Sequence, residues 1–342
     1  MRVVELRSDT MTQPTALMRQ AIFEAEVGDE QFGEDPTTNR LQEIAAAKLG
    51  KEAALLLLSG TMGNLVATLT HTQPGDEVIV GAGSHLLDAE SAGLARLGGL
   101  LARPLPVDHE SFDPQALEAL IKPHGGGTPN TGLIAIENTL NRAGGAAIPL
   151  QRLAAISAIA RRHNVPIHLD GARLFNAAVA LDVDVTQITA HVDSVQVCLS
   201  KGLCAPLGSL LAGSAAFIER ADYFKHMIGG GMRQSGIIAA AGIVALEHMV
   251  ERLPEDHANA RRLAEGVLRM EGVTIDMKAT QTNLVFINFS GRGLTGHQVR
   301  ERLAQRGVRV FGGDSSIVRF VTHAGVSADD IDYTLEAMRG VL

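Results

Sequence analysis

The sequence contains few cysteines and few aromatic residues, and it has no long apolar run. Only two cysteines occur among 342 residues, Cys198 and Cys204, and both lie among apolar neighbours. A disulfide-stabilised secreted domain uses more cysteines, at loop positions. The charged N-terminal segment lacks the apolar core of a secretory signal, and no apolar run approaches the ~18 residues that a transmembrane helix needs. We therefore expect a cytoplasmic protein with no membrane partner.

Basic residues are also scarce relative to acidic ones. The 30 lysine and arginine residues are outnumbered by 38 aspartate and glutamate residues, which gives a net charge of −8. Because nucleic acid phosphates demand a concentrated basic surface, this balance argues against a nucleic acid partner. With 46% hydrophobic and 20% charged residues the composition is that of a globular protein. The length predicts a large core and a smaller lobe.

Short apolar runs alternate with helix-length segments through most of the chain. The segment Leu150–His163, for example, keeps a helical period of apolar residues. This alternation predicts an α/β fold with a mainly parallel sheet that is covered by helices on both faces. The predicted strands are Ala53–Leu58, Glu77–Val80, Gly132–Ile136, Val165–Leu169, Ser194–Leu199 and Ser209–Ala212.

The pattern changes near residue 240, where Ile237–Arg252 predicts one long helix that Pro254 ends. We expect residues 1–245 to form an N-terminal segment and a large domain, and residues 246–342 to form a small α+β C-terminal domain. The further elements predicted there are helix His257–Met270, strand Asn283–Phe289, helix Thr295–Arg306, strands Val308–Phe311 and Ile317–Val321, and helix Asp329–Leu342.

Two charged residues follow neighbouring predicted strands. Lys201 comes just after the strand Ser194–Leu199, and Asp170 ends the strand before it. Both are expected at the carboxyl edge of the parallel sheet, where α/β proteins bind ligands. An amine there can condense with an aldehyde, and a carboxylate can keep a pyridine nitrogen protonated. Alone, Lys201 would be read as a surface lysine and Asp170 as a helix N-cap; together they favour pyridoxal 5′-phosphate (PLP).

A Gly-rich turn supplies a possible phosphate site. Ser59-Gly60-Thr61-Met62-Gly63-Asn64 follows an apolar strand and precedes a helix, so backbone N–H groups and the Thr61 hydroxyl could bind a phosphate. The turn matches neither a Walker loop nor the dinucleotide fingerprint. An ordinary strand-to-helix turn is an equally good interpretation of this segment alone. Together with Asp170 and Lys201, however, the segment provides a binding group for each of three parts of PLP: the phosphate, the pyridine ring and the aldehyde.

A set of collinear segments that spans nearly the whole chain carries a family resemblance. The segments are Arg7–Thr12, Ser59–Asn64, Ser84-His85, Ile136–Thr139, His168–Arg173, Ser200–Gly202 and Gly230–Gly236. In these segments the sequence resembles the low-specificity L-threonine aldolase (L-allo-threonine aldolase) family of fold type I PLP enzymes. The resemblance implies a large domain with a mainly parallel seven-stranded sheet and a small α+β C-terminal domain.

The resemblance implies a role for each matching residue around the cofactor. Lys201 would bind the cofactor aldehyde, and Asp170 would pair with the pyridine nitrogen. Gly60 and Thr61 would hold the phosphate. His85 would stack on the pyridine face near the substrate hydroxyl; without the resemblance it would be read as a solvated loop histidine.

Three arginines and a serine complete the implied site. Arg173 would reach the cofactor hydroxyl or the substrate carboxylate. Ser8 and Arg319 would bind the substrate α-carboxylate, to which a planar guanidinium can donate two hydrogen bonds. Arg319 lies within an apolar strand, where a charge is costly unless it faces a partner. Arg233 would reach the phosphate of a neighbouring subunit, which implies a homo-oligomer: a dimer with shared sites, and a tetramer.

The implied reaction is the retro-aldol cleavage of L-threonine, L-allo-threonine or a related β-hydroxy-α-amino acid to glycine and an aldehyde, by a carbon–carbon lyase. The base that accepts the hydroxyl proton would be His85 or a water that it holds. Glu90 is a weaker candidate, which we expect in a helix. Another fold type I PLP enzyme, such as a β-eliminating lyase or a racemase, and a noncatalytic α/β nucleotide-binding protein are the alternatives.

The sequence departs from the family pattern around the hydroxyl end of the implied site. Leu86-Leu87-Asp88 follows His85 where the family usually has aromatic residues. The family usually has a histidine ahead of the Glu-Asn-Thr strand, and by spacing this position is Gly127 here, with His124 nearby as a replacement. Leu140 occupies another position where the family commonly has histidine. These changes leave the choice between threonine and allo-threonine open. We predict no metal site, because the remaining histidines lack ligand spacing.

Overall fold

The computed structural model describes residues 2–122, 125 and 127–341. Its largest sheet contains the six predicted strands, with small shifts of their ends, and one further strand. The strands are β1 (Ala53–Leu57), β2 (Glu77–Gly81), β3 (Leu101–Leu105), β4 (Thr131–Glu137), β5 (Ile167–Asp170), β6 (Ser194–Cys198) and β7 (Ser209–Gly213).

The seven strands lie in the order β1-β7-β6-β5-β4-β2-β3. Strand β7 is antiparallel to both of its neighbours, and the remaining pairs are parallel. The predicted mainly parallel sheet is therefore confirmed. Every residue of β2, β6 and β7 is buried, as expected for strands that are covered on both faces.

Strand β3 is the element that the sequence pattern does not reveal. It lies at the sheet edge and reads Leu-Ala-Arg-Pro-Leu, with only Leu105 buried. Arg103 and Pro104 break the apolar pattern, and an edge position is where a strand tolerates a proline without losing a ladder hydrogen bond.

Helices cover the sheet and connect its strands. In the large lobe they are α1 (Ala16–Glu24), α2 (Pro36–Lys48), α3 (Gly60–His71), α4 (His85–Asp88), α5 (Gly93–Arg96), α6 (Pro114–Leu120), α7 (Leu150–Arg162), α8 (Leu174–Leu181), α9 (Val185–Thr189), α10 (Ala215–Met227) and α11 (Gly236–Val244). Side-chain caps begin many of them; Asp35 accepts from Thr38 N at the start of α2, for example. The described helices include none that is long and apolar enough to cross a bilayer.

The C-terminal lobe has its own sheet and core. Its strands are β8 (Thr274–Ile275), β9 (Leu284–Asn288), β10 (Phe311–Gly312) and β11 (Ile317–Val321), in the antiparallel order β8-β9-β11-β10. Its helices are α12 (Leu253–Val267), α13 (Gly296–Ala304) and α14 (Ala328–Val341). The N-terminal pair Val4–Glu5 runs parallel to Val308–Arg309 of this lobe. The first residues of the chain thus pack on the C-terminal core, where Val4 and Leu6 are buried.

The junction between the lobes differs from the prediction. Helix α11 continues as a π-helical turn, Ala245–Met249. Pro254 does not end a helix: it lies in the first turn of α12, where its missing N–H would have had no helical partner. The predicted division at residue 245 falls at the π-helical turn and stays a prediction.

Replacement of Leu6 by alanine tests whether the N-terminal segment belongs to the C-terminal core. Leu6 has no exposed surface, and Val3 is 51% exposed. We expect Leu6→Ala to lower the free energy of unfolding by about 2–5 kcal/mol, measured by urea denaturation. Val3→Ala should change it by less than about 0.5 kcal/mol. Equal effects of the two substitutions would show that the segment contributes nothing to that core.

Candidate active site

A cavity of about 260 Å³ opens at the carboxyl edge of the central sheet. Residues from the ends of β4, β5 and β6, from the N-terminal segment and from β11 line it. The sheet edge therefore brings together residues that are far apart in sequence. The predicted site residues that line this cavity are Ser8, Gly60, Thr61, His85, Asp170, Arg173, Lys201 and Arg319.

Asp170 lies at the end of β5 and is 5% exposed. Its Oδ2 accepts a hydrogen bond from Asn64 Nδ2 at 2.8 Å, and its Oδ1 accepts one from Ala172 N at 3.1 Å. With the amide of Gln196 turned so that its nitrogen faces the carboxylate, a third donor lies 3.0 Å from Oδ1. Three donors therefore fix the orientation of this carboxylate in the cavity that Lys201 also lines.

Helix α3 begins at the cavity wall. Ser59 caps it by accepting from Met62 N at 3.2 Å, so the N–H groups of Gly60 and Thr61 lie ahead of the first intrahelical bonds. A Cβ at Gly60 would lie 2.7 Å from Cys198 Sγ, so only glycine lets this turn pack so closely on β6. These N–H groups and the positive end of the helix suit a phosphate.

The donor set as a whole fits PLP. The cavity offers an amine for an aldehyde at Lys201, a carboxylate for a pyridine nitrogen at Asp170, and a helix N-terminus for a phosphate at Gly60. All three groups line one cavity, and their chemistry corresponds to three different parts of that cofactor.

His85 forms a polar pair with Glu90 at the wall of the cavity. Its Nδ1 lies 2.8 Å from Glu90 Oε1, and the side chain of Glu90 is only 3% exposed. Burial raises the pKa of Glu90, and the hydrogen bond to Glu90 raises the pKa of His85. The backbone N–H of His85 donates to Glu137 Oε2 at 2.7 Å. Glu90 lies between α4 and α5, not in a helix as predicted.

Arg173 forms a buried ion pair that the sequence analysis did not identify. Its Nε and Nη2 donate to the two carboxylate oxygens of Asp9 at 2.7 and 2.8 Å. Burial by itself would raise the pKa of Asp9. The charge and hydrogen bonds of Arg173, together with a hydrogen bond from Asn283, have the larger effect and lower this pKa. The only indication of Asp9 in the sequence is its position within Arg7–Thr12, one of the segments that carry the family resemblance. Since a guanidinium has five N–H donors, Arg173 keeps donors for a cofactor or substrate oxygen.

Arg319 lies on β11, with its guanidinium 5.3 Å from the centroid of the Phe311 ring. Its Nη1 and Nη2 donate at 3.3 Å to Asn141 Oδ1 and to the carbonyl oxygen of Arg7. Its Nε is buried and has no hydrogen-bond partner among the residues that the structure describes. Burial lowers the pKa of Arg319, so an anion in the cavity would stabilise its charge. Ser8 also lines the cavity, and its Oγ accepts from Thr10 N at 3.2 Å.

Two predicted positions lie elsewhere. Arg233 does not line the cavity: its side chain is 58% exposed, and its Nη1 lies 3.3 Å from Asp29 Oδ2. His124 falls outside the described residues, so the predicted replacement of the family histidine stays a prediction. Leu140 is 5% exposed and lines a smaller cavity together with Glu137.

Comparisons with known proteins give one consistent result. Residues 5–290 match the model of the family described as Beta-eliminating lyase. The chain is 43% identical to low-specificity L-threonine aldolase 1 of Arabidopsis thaliana, over 99% of this chain and 96% of that protein. It is 42% identical to the low specificity L-threonine aldolase of Escherichia coli K12, over 96% of each. Threonine aldolase of Leishmania major has the same fold, with a TM-score of 0.84, 18% identity and 99% of each chain covered.

The pKa of His85 should depend on the charge of Glu90. Glu90→Gln keeps the shape of the side chain but removes the charge, so we expect the pKa of His85 to fall and the histidine to become protonated only at lower pH. An NMR titration of the His85 ring resonances measures this. Asp88→Asn is the control, since Asp88 pairs instead with Arg142 at 2.8 Å. An unchanged titration midpoint in Glu90→Gln would contradict the assigned cause.

Proposed function

The chain belongs to the Beta-eliminating lyase family and to its low-specificity L-threonine aldolases, and we therefore propose that it is a PLP-dependent aldehyde-lyase. It cleaves the Cα–Cβ bond of L-threonine, L-allo-threonine or a related β-hydroxy-α-amino acid, and it releases glycine and an aldehyde. The observation that carries the proposal is the cavity shared by Asp170, Lys201 and Arg319.

Two residues divide the binding of the cofactor between them. The Lys201 amine would hold its aldehyde carbon, and the Asp170 carboxylate would accept a hydrogen bond from its ring nitrogen. When bound, PLP supplies an electron sink that stabilises negative charge at the substrate Cα. The three donors to Asp170 keep the carboxylate in place for this task.

The substrate carboxylate fits the opposite side of the cavity. The guanidinium of Arg319 lies over the ring of Phe311, and among the described residues its buried Nε has no hydrogen-bond partner. Its hydrogen bonds to neutral oxygens are long, at 3.3 Å. A carboxylate offers shorter, charge-assisted hydrogen bonds than these. Ser8 contributes a hydroxyl from the N-terminal segment. Held in this way, the substrate would keep one fixed orientation in the cavity, which would favour the cleavage of one bond at Cα over the others.

The proton of the substrate hydroxyl goes to His85 or to a water that His85 holds. The neutral imidazole accepts the proton, and Glu90 stabilises the charge that then develops on the ring. Glu90 is already the partner of His85 Nδ1 at 2.8 Å, so Nε2 is the nitrogen that is available for this transfer. Departure of the aldehyde follows, and a proton returned to Cα completes glycine.

A second reaction on the same cofactor is β-elimination, which the name of the family model brings into view. With threonine as substrate, β-elimination gives a 2-oxo acid and ammonia, whereas retro-aldol cleavage gives glycine and acetaldehyde. A racemase gives neither pair of products. The full-length relatives named threonine aldolases favour the retro-aldol reaction, and a product assay separates the three.

A homo-oligomer in the cytoplasm is the setting we propose. Arg233 is exposed and lies outside the cavity of its own chain, which supports a role at the phosphate of a neighbouring subunit, in a dimer with shared sites and in a tetramer. Cys198 and Cys204 are free and buried, as in proteins of reducing compartments.

Removal of the Lys201 amine tests the proposed reaction directly. The purified enzyme should release acetaldehyde and glycine from L-threonine, and Lys201→Ala should lower kcat at least about 1,000-fold because the aldehyde is no longer held. Lys278→Ala, an exposed lysine of the C-terminal lobe, is the control. Wild-type enzyme that forms ammonia and a 2-oxo acid but no acetaldehyde would exclude the aldolase, and full activity in Lys201→Ala would exclude the assigned lysine.

Replacement of Arg319 by lysine tests the carboxylate site. Arg319→Lys keeps the charge but loses the planar fork, so we expect KM for threonine to rise about 10- to 100-fold with a smaller change in kcat. Steady-state kinetics measure both. Arg309→Lys is the matched control, because Arg309 belongs to the same lobe and is 54% exposed. An unchanged KM in Arg319→Lys would place the substrate carboxylate elsewhere.

A further inference from the structure

A chain of buried polar side chains runs behind the cavity and ends at Asp170. His71 Nε2 lies 2.7 Å from Ser194 Oγ, which lies 2.9 Å from His168 Nδ1. His168 Nε2 lies 3.1 Å from Asn64 Oδ1, and Asn64 Nδ2 lies 2.8 Å from Asp170 Oδ2. Four consecutive hydrogen bonds therefore connect the end of α3 to the carboxylate that faces the cofactor ring.

The regular elements place these residues on one surface. His168 and Asp170 are two positions apart on β5, so their side chains face the same side of the sheet. Ser194 lies beside His168 on β6, in register with it. Helix α3 packs over this side of the sheet, and Asn64 and His71 lie two turns apart on it, facing the strands.

The carboxylates at one end fix the direction of every hydrogen bond in the chain. Asn64 Nδ2 donates to Asp170 and also to Glu90 Oε1 at 2.8 Å. Because an ionised carboxylate only accepts, the nitrogen of the amide faces Asp170 and its oxygen faces His168. His168 must then carry its proton on Nε2, and its Nδ1 accepts from the Ser194 hydroxyl. Ser194 in turn accepts from His71 Nε2.

Both histidines are neutral, as this arrangement requires. His168 has no exposed surface, and burial lowers its pKa to about 3. Burial also lowers the pKa of His71 to about 4, against the opposing charge of Asp193 and with the help of Arg220. Each ring thus carries one proton at neutral pH, and each can both donate and accept.

We propose that Asn64 and His168 are positioning residues, which hold Asp170 in the orientation that the ring nitrogen of the cofactor requires. The two N–H bonds of the Asn64 amide go to two different carboxylates, those of Asp170 and Glu90. Asp170 would pair with the ring nitrogen of the cofactor, and Glu90 is the partner of His85. One side chain therefore aligns the group that pairs with the cofactor and the pair that accepts the substrate proton. His168 keeps the amide from turning over, because only the Asn64 oxygen can accept from its Nε2–H. This inference rests on the proposed PLP chemistry.

The protonation pattern is the direct test. Solid-state 15N NMR of histidine-labelled holoenzyme distinguishes the two neutral tautomers and the imidazolium ion. The signals of His168 and His71 are assigned by their loss in His168→Gln and His71→Gln. We expect both rings to be neutral with the proton on Nε2. A proton on Nδ1 of His168, or a charged ring, would overturn the chain, whatever reaction the enzyme performs.

A pair of substitutions tests whether the chain positions the cofactor partner. His168→Leu removes the donor to Asn64, and we expect the holoenzyme to lose PLP on dilution about tenfold faster, as the absorbance of the bound cofactor shows. His168→Gln supplies an amide N–H in place of Nε2–H and should restore the rate to within about threefold. Thr70→Val is the control: Thr70 is equally buried on α3, but its Oγ1 bonds to the carbonyl oxygen of Val66.

The outcomes separate this inference from the proposed function. A release rate in His168→Leu equal to that in Thr70→Val, even with a lower melting temperature, would show a purely structural role and overturn the positioning. Equal losses in His168→Leu and His168→Gln would do the same. Wild-type protein that binds no PLP would overturn the proposed function instead, and the tautomer measurement would still stand or fall by itself.

Discussion

Asp170 is a carboxylate with 5% of its surface exposed, and the structure around it follows from the need to keep that charge where a ligand can use it. A buried carboxylate without donors is costly and tends to become neutral. Asn64, Gln196 and the backbone N–H of Ala172 supply the donors here. Parallel strands place Asp170 at the same sheet edge as Lys201, so the two groups line one cavity.

The second constraint is the buried pair of Asp9 and Arg173, which joins the N-terminal segment to the sheet edge. Removing one partner from such a pair would leave an uncompensated buried charge. The pair therefore fixes the residues on either side of Asp9, including Ser8, at the mouth of the cavity. Val4 and Leu6, which precede Ser8 in the same segment, are buried in the core of the C-terminal lobe. The segment thus connects the substrate side of the cavity to the lobe that carries Arg319.

Sequence patterns predicted the elements and the sheet edge well, since these depend on local periodicity and on the geometry of parallel strands. Ile317–Val321 has the predicted bounds, and Asp170 and Lys201 line the same cavity. Side-chain pairs that form only when distant segments pack together could not be predicted from the sequence. Asp9 meets Arg173 across 164 positions, and no local signal pairs them. Pro254 was misread, since a proline after an apolar helix fits a helix end and a helix start equally.

The proposed site has one part for the cofactor and one part for the substrate. In this proposal Gly60 and Lys201 would serve the phosphate and the aldehyde of the cofactor, whereas Ser8 and Arg319 would serve the substrate carboxylate. The measurement that tests this account most directly is borohydride reduction of the yellow holoenzyme, followed by mass spectrometry of its peptides. We expect a pyridoxyl group bound covalently to Lys201. A label on another lysine, or a reduced protein without any label, would contradict it.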